Sequence, residues 1–598
     1  MKYLFTLIVI ALGFTGCKKF LDQVPNDRLT LEETFRNRST AERFLASVYA
    51  FVPREHSQRF VGNYNSGPWT GGSDEAEYLW GFVESNQINL GSWDVNSGFT
   101  KAFWRDYYKG IRNATFFIAN IDNVTVDITE TQKKQYKAEA RALRAIYYFY
   151  LFRIYGPVVL LGNDVIEVDA PFQELQLPRN SVDECIDYIT SELDAAAADL
   201  PVRPLNDANI ARITKPIALG VKATALLYAA SPLFNGNADF ASLKNKDGKQ
   251  LIPQTYDGSK WAKAAAAYKA FIDEFVPGVF DLHRTFNGDG SLNPFLSCRD
   301  AILVDWNKET IFGRPDDDNA RNYEVTPYHN GYASEVRGSG GLGATQRQVD
   351  AFFMANGRPI TDPASGYANS GTSNFRAPDD NTDRETFNQW VNREPRFYVN
   401  ITYDNRRWLN TNSGDAVTRL FFKGNSGKGT SNDYCPTGYV VRKGATTKNW
   451  NQGNSVIILL RLANIYLDYV EALNESNPDD PNILKYLNLI RERAGVPQYG
   501  SANLPAPSGQ AAMRLAIRQE KQVELCFENV RYFDTRRWKI APQTDNGPAI
   551  GLDIDSPLPG FYNQKPFETR VFATRHYFFP IPIEDVNNDF ELIQNPGW

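Results

Sequence analysis

Two segments of the chain carry apolar residues in the same pattern. In each segment, six apolar residues fall at relative positions 0, 3, 4, 7, 8 and 11. They are Leu143, Ile146, Tyr147, Tyr150, Leu151 and Ile154 in the first, and Leu462, Ile465, Tyr466, Tyr469, Val470 and Leu473 in the second. This spacing places all six on one face of an α-helix about three turns long. Each segment is therefore predicted to be a helix that buries one apolar face.

A third helix is predicted in the stretch that precedes Pro232. Its inward face carries small residues such as Ala225 and Ala229, which allow a neighbouring helix to come close. The helix should end near Ser231, because the residue before a proline disfavours helical geometry. Helices of this kind in series predict a mainly α fold of stacked helical hairpins, a solenoid of the tetratricopeptide type.

The middle of the chain has a different composition. Residues 281–454 are rich in glycine, asparagine, aspartate and aromatic residues, which is typical of turns and loops. Long irregular regions between helical blocks usually carry function. We therefore predict a signal segment at 1–16, a helical part at 17–280, an inserted loop-rich region at 281–454 that forms the ligand face, and helices with a tail at 455–598.

The start of the chain has the pattern of an export signal. Lys2 is followed by an uncharged, mostly apolar run that is too short for a membrane span, and then by small residues. The sequence Thr15-Gly16-Cys17 resembles the lipobox of bacterial lipoproteins, in which the cysteine is joined to diacylglycerol and the peptide is cut before it. Cys17 is therefore the predicted lipid attachment site. An ordinary signal peptide with a chance cysteine is the alternative.

Composition and charge narrow the classes of protein. The formal net charge of −6 leaves no basic field that could hold nucleic acid. The aromatic content of 13% fits either a large aromatic core or a surface that stacks on sugar rings. Four further cysteines are far apart in the chain, so disulfides and free thiols both stay open, and we favour free thiols. These cysteines are Cys185, Cys298, Cys435 and Cys526.

Five blocks, in order, resemble the SusD/RagB family of outer-membrane lipoproteins from Bacteroidetes-type bacteria. They are "KKFLDQVPNDRLT", "AEARALRAIYYFYLFRIYGPVVLL", "LLRLANIYLDYVEALNE" with "LNLIRERAGVP", "ELCFENVRYFDTRRW" and the terminal "QNPGW". The resemblance extends over nearly the whole chain. It implies about four tetratricopeptide-like helix pairs that form a scaffold, with a loop-rich ligand-binding face opposite.

The resemblance also implies a function. It implies a lipoprotein on the outer face of the outer membrane that captures an oligosaccharide or polysaccharide and delivers it to a SusC-like TonB-dependent transporter. It implies no catalysis and no cofactor. Lys18 and Lys19 follow Cys17, where acidic residues often favour surface display in these bacteria, so surface and periplasmic orientations stay open. A peptide-capturing RagB-like member and a glycoside hydrolase are the alternative functions.

Candidate ligand residues come from the loops. Trp93 and Asn96 lie three apart in a turn-rich stretch, and the family often presents a stacking tryptophan and a hydrogen-bonding asparagine from this place. For every candidate, packing in the core is the competing interpretation. The further candidates are Trp69, Asp74, Trp80, Trp306, Tyr323, Tyr328 and Trp408.

Other motifs carry less chemistry. The sequence "GSGGLG" (338–343) has the spacing of a dinucleotide-binding loop, but a polar, irregular stretch precedes it where a buried strand is required. The charges of "ELCFENVRYFDTRRW" are interpreted as a structural ion-pair network. The four histidines are isolated, and neither H-E-x-x-H nor G-x-S-x-G occurs. The sequence therefore predicts no catalytic, metal or cofactor site.

The chain ends in an unusually apolar tail. Pro580 and Pro582 stiffen an extended segment, in which Phe579 and Ile581 alternate toward one side. Trp598 is the last residue. The tail is predicted to fold back on the helices as a clasp.

Overall fold

The structure, a computed structural model, describes residues 31–60, 66–166, 169–316, 319–412, 414–453 and 456–598. The predicted signal segment and Cys17 lie outside these residues.

Long helices make up most of the scaffold, and two of them start at capping boxes. Thr129 and Gln132 cap α3 (Glu130–Tyr155), and Ser181 and Glu184 cap α4 (Val182–Ala197), so that orphan N–H groups of the first turn are satisfied. Helix α5 (Lys215–Ala230) is capped by Ser231, which agrees with the predicted end near that residue. The long helices are α1 (Arg38–Tyr49), α2 (Gly98–Asn120), α3 (Glu130–Tyr155), α4 (Val182–Ala197), α5 (Lys215–Ala230), α6 (Ser259–Phe275), α7 (Leu462–Ser476), α8 (Asn482–Arg493) and α9 (Gly509–Glu524).

Each long helix packs on the next one along the chain. Helices α2 to α7 form an unbroken series of neighbours, and α7 also packs on α8 and α9. Because α3 has neighbours on both sides, it buries nearly every side chain from Ala142 to Tyr155, and not only the predicted apolar face. The prediction of a mainly α fold is confirmed, and the series of neighbours is the order that stacked hairpins require.

Short helices and strands surround this scaffold. The short α-helices are Leu31–Thr34, Glu84–Leu90, Pro294–Leu303, Asn319–Val325, Gln346–Ala351, Pro395–Asn400, Arg531–Arg537, Ala541–Thr544 and Ile583–Asn588. The strands are β1 (Ala76–Tyr78), β2 (Thr310–Pro315), β3 (Leu342–Ala344), β4 (Thr372–Phe375), β5 (Arg384–Phe387), β6 (Ile401–Thr402), β7 (Arg406–Arg407), β8 (Val417–Thr418), β9 (Val440–Val441), β10 (Val456–Arg461), β11 (Gly547–Leu552) and β12 (Gln564–Arg570).

A small antiparallel sheet lies in a second apolar core. Its strand order is β1-β3-β9-β6, and Gly343 in β3 pairs with Glu77 on one side and Val440 on the other. This core takes most of its side chains from the loop-rich middle of the chain, including Trp390 and Phe397. Strand β1 lies far earlier in the sequence than its partner β3. Their pairing places the residues that follow β1 beside the loop-rich middle of the chain.

A buried ion-pair network connects β10 with α8 and α9. One guanidinium nitrogen of Arg461 contacts carboxylate oxygens of Glu309 at 2.5 Å and Glu524 at 2.9 Å, and another contacts Glu528 at 2.7 Å. Arg493 pairs with Glu309 at 3.1 Å and also with Glu524. Because each buried charge has opposite charges as partners, the network is structural, which confirms the interpretation of the charges in this segment.

The tail contacts the end of α3. The backbone N–H of Phe579 donates to the carbonyl of Ile154 at 2.9 Å, and the side-chain amide of Asn595 donates to the carbonyl of Tyr155 at 2.9 Å. Phe579 is buried and Trp598 is half-buried. The predicted docking of the tail is confirmed, whereas its contribution to stability stays a prediction.

Two other features of the described chain bear on earlier expectations. The four cysteines Cys185, Cys298, Cys435 and Cys526 are buried and unpaired, which agrees with the preference for free thiols. In the part of the chain that the structure describes, no helix combines the length and the apolar character needed to cross a membrane.

Candidate functional site

Trp93 does not present its indole to solvent. Its side chain is only 3% exposed and packs against two residues of the tail, with ring centroids 4.6 Å from Trp598 and 4.9 Å from Phe579. Asn96 is exposed, and its backbone N–H donates to the Asp94 carboxylate at 2.8 Å. The expectation that Trp93 and Asn96 form one exposed pair is therefore wrong in its geometry. The tail that covers Trp93 lies almost 500 residues away in the chain, so local composition could not reveal it.

Trp69 and Asp74 are also buried. The Trp69 ring lies 4.8 Å from the rings of both Tyr532 and Phe533. The Asp74 carboxylate accepts two hydrogen bonds from Arg531, at 2.8 and 2.7 Å. Although burial opposes its charge, the pKa of Asp74 is lowered because of Arg531. The core interpretation holds for Trp69. Asp74 borders a cavity of about 330 Å³, but its carboxylate is engaged by Arg531.

Trp306 and Trp408 line separate cavities. Trp306 is half-buried, has a left-handed backbone (φ 52°) and borders a cleft of about 330 Å³ beside Phe280 and Asn307. Trp408 is 3% exposed and lines a different cavity, of about 180 Å³. The structure thus does not bring these two candidates to one surface with the others.

Two of the candidates, Trp80 and Tyr323, do come together. Both are half-buried, and the Arg59 guanidinium lies over both rings, 4.9 Å from the Trp80 centroid and 5.8 Å from that of Tyr323. Trp450 meets the Tyr323 ring edge-on at 5.1 Å, and Phe82, which is 59% exposed, stacks on Trp80 at 6.2 Å. We call the surface formed by these residues the aromatic surface: Trp80, Phe82, Tyr323 and Trp450, with Arg59 and the neighbouring Asp433.

Polar groups fix these rings in place. The Trp80 indole N–H donates to the Asp433 carboxylate at 3.1 Å. Arg59 contacts the buried Glu324 carboxylate at 2.6 Å, and that carboxylate also accepts from the Tyr78 hydroxyl at 2.8 Å. Burial and the Asp433 carboxylate raise the pKa of Tyr323, so its hydroxyl stays protonated and able to donate at neutral pH. Hydrogen bonds and ion pairs to Glu324 and Asp433 therefore fix the positions of these side chains.

Local structure explains which residues face outward. Tyr323 and Glu324 are adjacent on the short helix Asn319–Val325, so their side chains leave the helix in different directions. Trp80 follows β1 by two residues, and the N–H of Leu79 continues the ladder by donating to the carbonyl of Gly341 at 2.9 Å. The sheet thus delivers Trp80 to the place where Tyr323 lies.

The glycine-rich segment supports this surface. A Cβ on Gly341 would lie 2.3 Å from the Trp80 ring, so the indole lies directly against this glycine. Ser339 donates its backbone N–H to the carbonyl of Tyr323 at 2.9 Å. A dinucleotide site requires a strand that ends before the glycine-rich sequence. Strand β3 instead begins at Leu342, within that sequence. The segment packs beneath an aromatic ring, which the sequence did not reveal.

Sequence reasoning missed part of this site. Arg59, Phe82, Asp433 and Trp450 were not among the candidates, although Phe82 lies only two residues from Trp80. Tyr328 was a candidate and lies half-buried nearby; its hydroxyl accepts from Arg337 at 3.0 Å. The sequence shows Phe82 and Trp450 only as aromatic residues in predicted loops. Many aromatic residues in predicted loops are buried in the structure, so this feature does not identify a site.

The described residues show no cluster of three or more histidine, cysteine, aspartate or glutamate side chains that could hold a metal ion. The buried His329 is held by the carbonyl of Val336 at 2.8 Å and the hydroxyl of Thr418 at 2.9 Å. Burial lowers the pKa of His329 to about 4, so the imidazole is neutral at pH 7. What the aromatic surface can do chemically is offer apolar ring faces beside a guanidinium, a carboxylate and a phenol.

Comparisons with known proteins agree on one family. A sequence profile of the SusD family matches residues 308–598, and a profile described as "Starch-binding associating with outer membrane" matches residues 19–226. Together the two matches leave out only residues 1–18 and 227–307. A SusD-like protein, P2, of Formosa agariphila is 24% identical over the whole length of both chains.

Solved structures show the same fold. The protein BT4246 superposes with a TM-score of 0.80 at 24% identity, over 94% of this chain and 100% of its own. The surface glycan-binding protein A of Bacteroides fluxus superposes with a TM-score of 0.58 at 18% identity, over 94% of this chain and 100% of its own.

Proposed function

The chain belongs to the SusD family, and from this premise we propose that it captures a glycan on its aromatic surface and delivers it to a SusC-like TonB-dependent transporter. Support for a carbohydrate ligand comes from the starch-binding description of the matched profile and from the name of the glycan-binding structural relative. The transporter partner follows from the family resemblance.

One observation carries the proposal: the side-by-side placement of Trp80 and Tyr323 with polar groups at their edges. A pyranose ring has apolar C–H faces and a rim of hydroxyl groups. Aromatic faces exchange hydration for contact with the C–H faces, and charged groups at the edge form strong hydrogen bonds with hydroxyls. Arg59 and Asp433 are placed to form those bonds. No other group of the candidate residues is brought together in this way in the described structure.

The same geometry favours binding over hydrolysis. A glycosidase that uses two carboxyl groups needs both of them free to face the scissile bond. At the aromatic surface, Glu324 is buried and engaged by Arg59 and Tyr78. That leaves Asp433 as the one carboxylate among the residues of the aromatic surface, and a single carboxylate does not make the pair. We therefore propose a non-catalytic protein that holds its ligand unchanged.

We further propose attachment to the outer membrane through a lipid on Cys17, with the body facing the exterior. The matched profile is described as associating with the outer membrane, and the lipobox-like sequence supplies the cysteine. Because each buried CH₂ contributes about 0.8 kcal/mol, several acyl chains make a stable anchor. Cys17→Ala should move the protein out of the membrane fraction, and retention there without the transporter would contradict the lipid anchor.

The binding proposal is tested with purified protein and a panel of polysaccharides, by isothermal titration. Trp80→Ala should weaken binding of the recognised glycan roughly five- to thirty-fold, which corresponds to about 1–2 kcal/mol for a lost aromatic contact. Phe286→Ala is the matched control, because Phe286 is 57% exposed and outside the aromatic surface. Its affinity should equal that of the wild type.

Three results would contradict the proposal. Unchanged affinity in a folded Trp80→Ala variant would exclude the aromatic surface as the site. Shorter products in chromatography of the bound glycan would favour the hydrolase alternative. Binding of peptides in the same assay, with no glycan bound, would favour peptide capture.

A further inference from the structure

A cavity of about 180 Å³ lies apart from the residues of the aromatic surface. One wall is the helix Pro294–Leu303, and another is the segment that runs from Arg442 to Ala445 after β9. Arg407 of β7, Trp408 and Leu409 close a third side. A water molecule takes about 30 Å³ of liquid volume, so the cavity has room for a small polyatomic group as well as for water.

The charges that line this cavity are mostly positive. Arg299, Arg407, Arg442 and Lys443 face it, whereas Asp379 is its single lining carboxylate. Lys443 is already paired, since its ammonium contacts the Glu528 carboxylate at 2.5 Å. Asp379 is not free to balance the three arginines. Its two oxygens are contacted by Arg442 at 2.5 Å and at 2.6 Å by Arg406, a fifth cation that is 1% exposed.

The two buried guanidinium groups of Arg406 and Arg442 share one carboxylate, that of Asp379. The Nε and Nη1 atoms of Arg406 have no hydrogen-bond partner among the described residues, so one carboxylate serves two guanidinium groups. Burial and the neighbouring charge of Arg406 lower the pKa of Arg442 to about 10, despite the attraction of Asp379. An additional anion next to Arg442 would reduce this repulsion.

The two outer cations are available to such an anion. Arg299 pairs with Asp300 at 2.7 Å, and Arg407 pairs with Asp415 at 2.6 Å. Neither aspartate lines the cavity, and the Asp415 side chain is 50% exposed. The Arg299–Asp300 pair is less exposed, at 29% and 16%. Because the Arg407–Asp415 pair is half exposed on its acidic side, it contributes little stability, and a ligand oxyanion can take the place of Asp415 at low cost.

Apolar side chains lie among these cations. Trp408 and Phe295 line the cavity together with Val399, and the Arg442 guanidinium lies 6.0 Å from the centre of the Trp408 ring. An indole beside several guanidinium groups combines a surface for C–H contacts with donors of charge-assisted hydrogen bonds. That pairing fits a charged group carried on a carbon ring better than a bare inorganic ion.

We propose that this cavity binds a sulfate or carboxylate group carried by an acidic saccharide, with Arg299, Arg407 and Arg442 as donors to that group. The saccharide part rests on the proposed function. The oxyanion part does not, since it follows from the cavity alone. The cavity would make the protein selective for anionic glycans over neutral ones.

The test uses isothermal titration of the purified protein at constant ionic strength with three probes: sodium sulfate, a sulfated oligosaccharide and the same oligosaccharide after desulfation. The sulfated oligosaccharide should bind more tightly than the desulfated form. Arg407→Gln should reduce this difference roughly tenfold, because a charge-assisted hydrogen bond is lost. Arg407→Lys should keep part of it, since it keeps the charge but not the fork of donors.

Arg376→Gln is the matched control. Arg376 also pairs with an aspartate, Asp383, in the loop-rich middle, but its side chain is 60% exposed and does not line the cavity. This variant should bind the sulfated probe as the wild type does. Arg299→Gln is a second cavity variant, which keeps the test valid if Arg407→Gln does not fold.

Each outcome decides the matter. Equal affinity for the sulfated and desulfated probes, with no binding of sodium sulfate, overturns the whole inference, and so does an unchanged preference in both cavity variants. Binding of sodium sulfate without any preference for the sulfated sugar overturns the saccharide part. If the proposed function fails, Trp80→Ala will bind every saccharide as tightly as the wild type does. If only this inference fails, Trp80→Ala will still weaken glycan binding, but the wild type will show no preference for the sulfated probe.

Discussion

Trp93→Ala should reduce stability and leave glycan affinity unchanged. Trp93 is 3% exposed and packs against Phe99, Phe579, His576 and Trp598. Its indole N–H has no hydrogen-bond partner among the described residues, so truncation breaks no hydrogen bond and the loss is one of packing. A buried aromatic side chain covers about 150–250 Å². At roughly 25 cal/mol per Å², that area corresponds to about 4–6 kcal/mol.

Measured truncations of this kind cost about 3–5 kcal/mol, which agrees with the estimate from area. Unfolding entropy near 60 °C is about 2.1 cal/mol/K per residue, or roughly 1.3 kcal/mol/K for a chain of 598 residues that unfolds as one unit. The melting temperature of Trp93→Ala should therefore fall by about 2–4 °C. The drop is small for so large a loss because the protein is large.

The assay combines calorimetry with titration on two variants. Trp93→Ala should melt earlier and bind the glycan with wild-type affinity below its transition, whereas Trp80→Ala should bind weakly and melt almost normally. Trp93→Phe serves as the control, since it keeps most of the ring contacts and should lose less stability. A Trp93→Ala variant that melts like the wild type and binds the glycan weakly would refute the burial argument and return Trp93 to the ligand site.

Three further predictions concern the tail, the buried charges and the glycine-rich segment. Deletion of the last five residues, which removes Asn595 and Trp598, should lower the melting temperature by a few degrees in calorimetry without altering which glycan is bound; an unchanged melting temperature would mean that the tail is held without stabilising the fold. Burial raises the pKa of Glu471, but Arg537 and Lys521 outweigh it and bring the pKa to about 2, below the ordinary 4.5. Glu471 thus contributes about 3 kcal/mol of stability above pH 4.5, and this contribution is lost as the pH falls through 2. In Glu471→Gln, the free energy of unfolding measured with urea should depend less on pH over that range. An equally steep dependence on pH in the variant would contradict this. Gly341→Ala should weaken glycan binding in titration, because the new Cβ would lie 2.3 Å from the Trp80 ring and displace it, whereas Gly288→Ala, where the added Cβ meets nothing within 4 Å, should have no effect.

The helical scaffold was predictable because its signals are local. The apolar pattern at Leu143 and at Leu462 repeats within three turns, and Pro232 lies only two residues after the last residue of its helix. Such signals need no knowledge of what the helix packs against. The extent of burial in α3 was not predictable, since it depends on neighbours on both sides of the helix.

The aromatic surface was only partly predictable, because its members come from distant parts of the chain. Arg59, Trp80, Tyr323, Asp433 and Trp450 are brought together by strand pairing and by a buried carboxylate, and neither leaves a mark in the local sequence. Composition selected aromatic residues in loops, but it could not tell a ring that faces solvent from one that fills a core. The cationic cavity has the same origin, since its arginines belong to separate segments.

The three tryptophans between residues 66 and 98 show how one segment serves both core and site. Trp69 and Trp93 lie at its two ends and both pack into the helical core, with Phe579 of the tail as a shared neighbour. Between them, β1 pairs with β3 in the second core. A segment fixed at both ends and paired in the middle leaves Trp80 little freedom, and Gly341 and Asp433 define the position of its ring. A ligand that stacks on this ring therefore meets a surface already ordered, so less conformational entropy is lost on binding. Trp69 and Trp93 thus belong to the core, and Trp80 is the indole of this segment that belongs to the proposed glycan site.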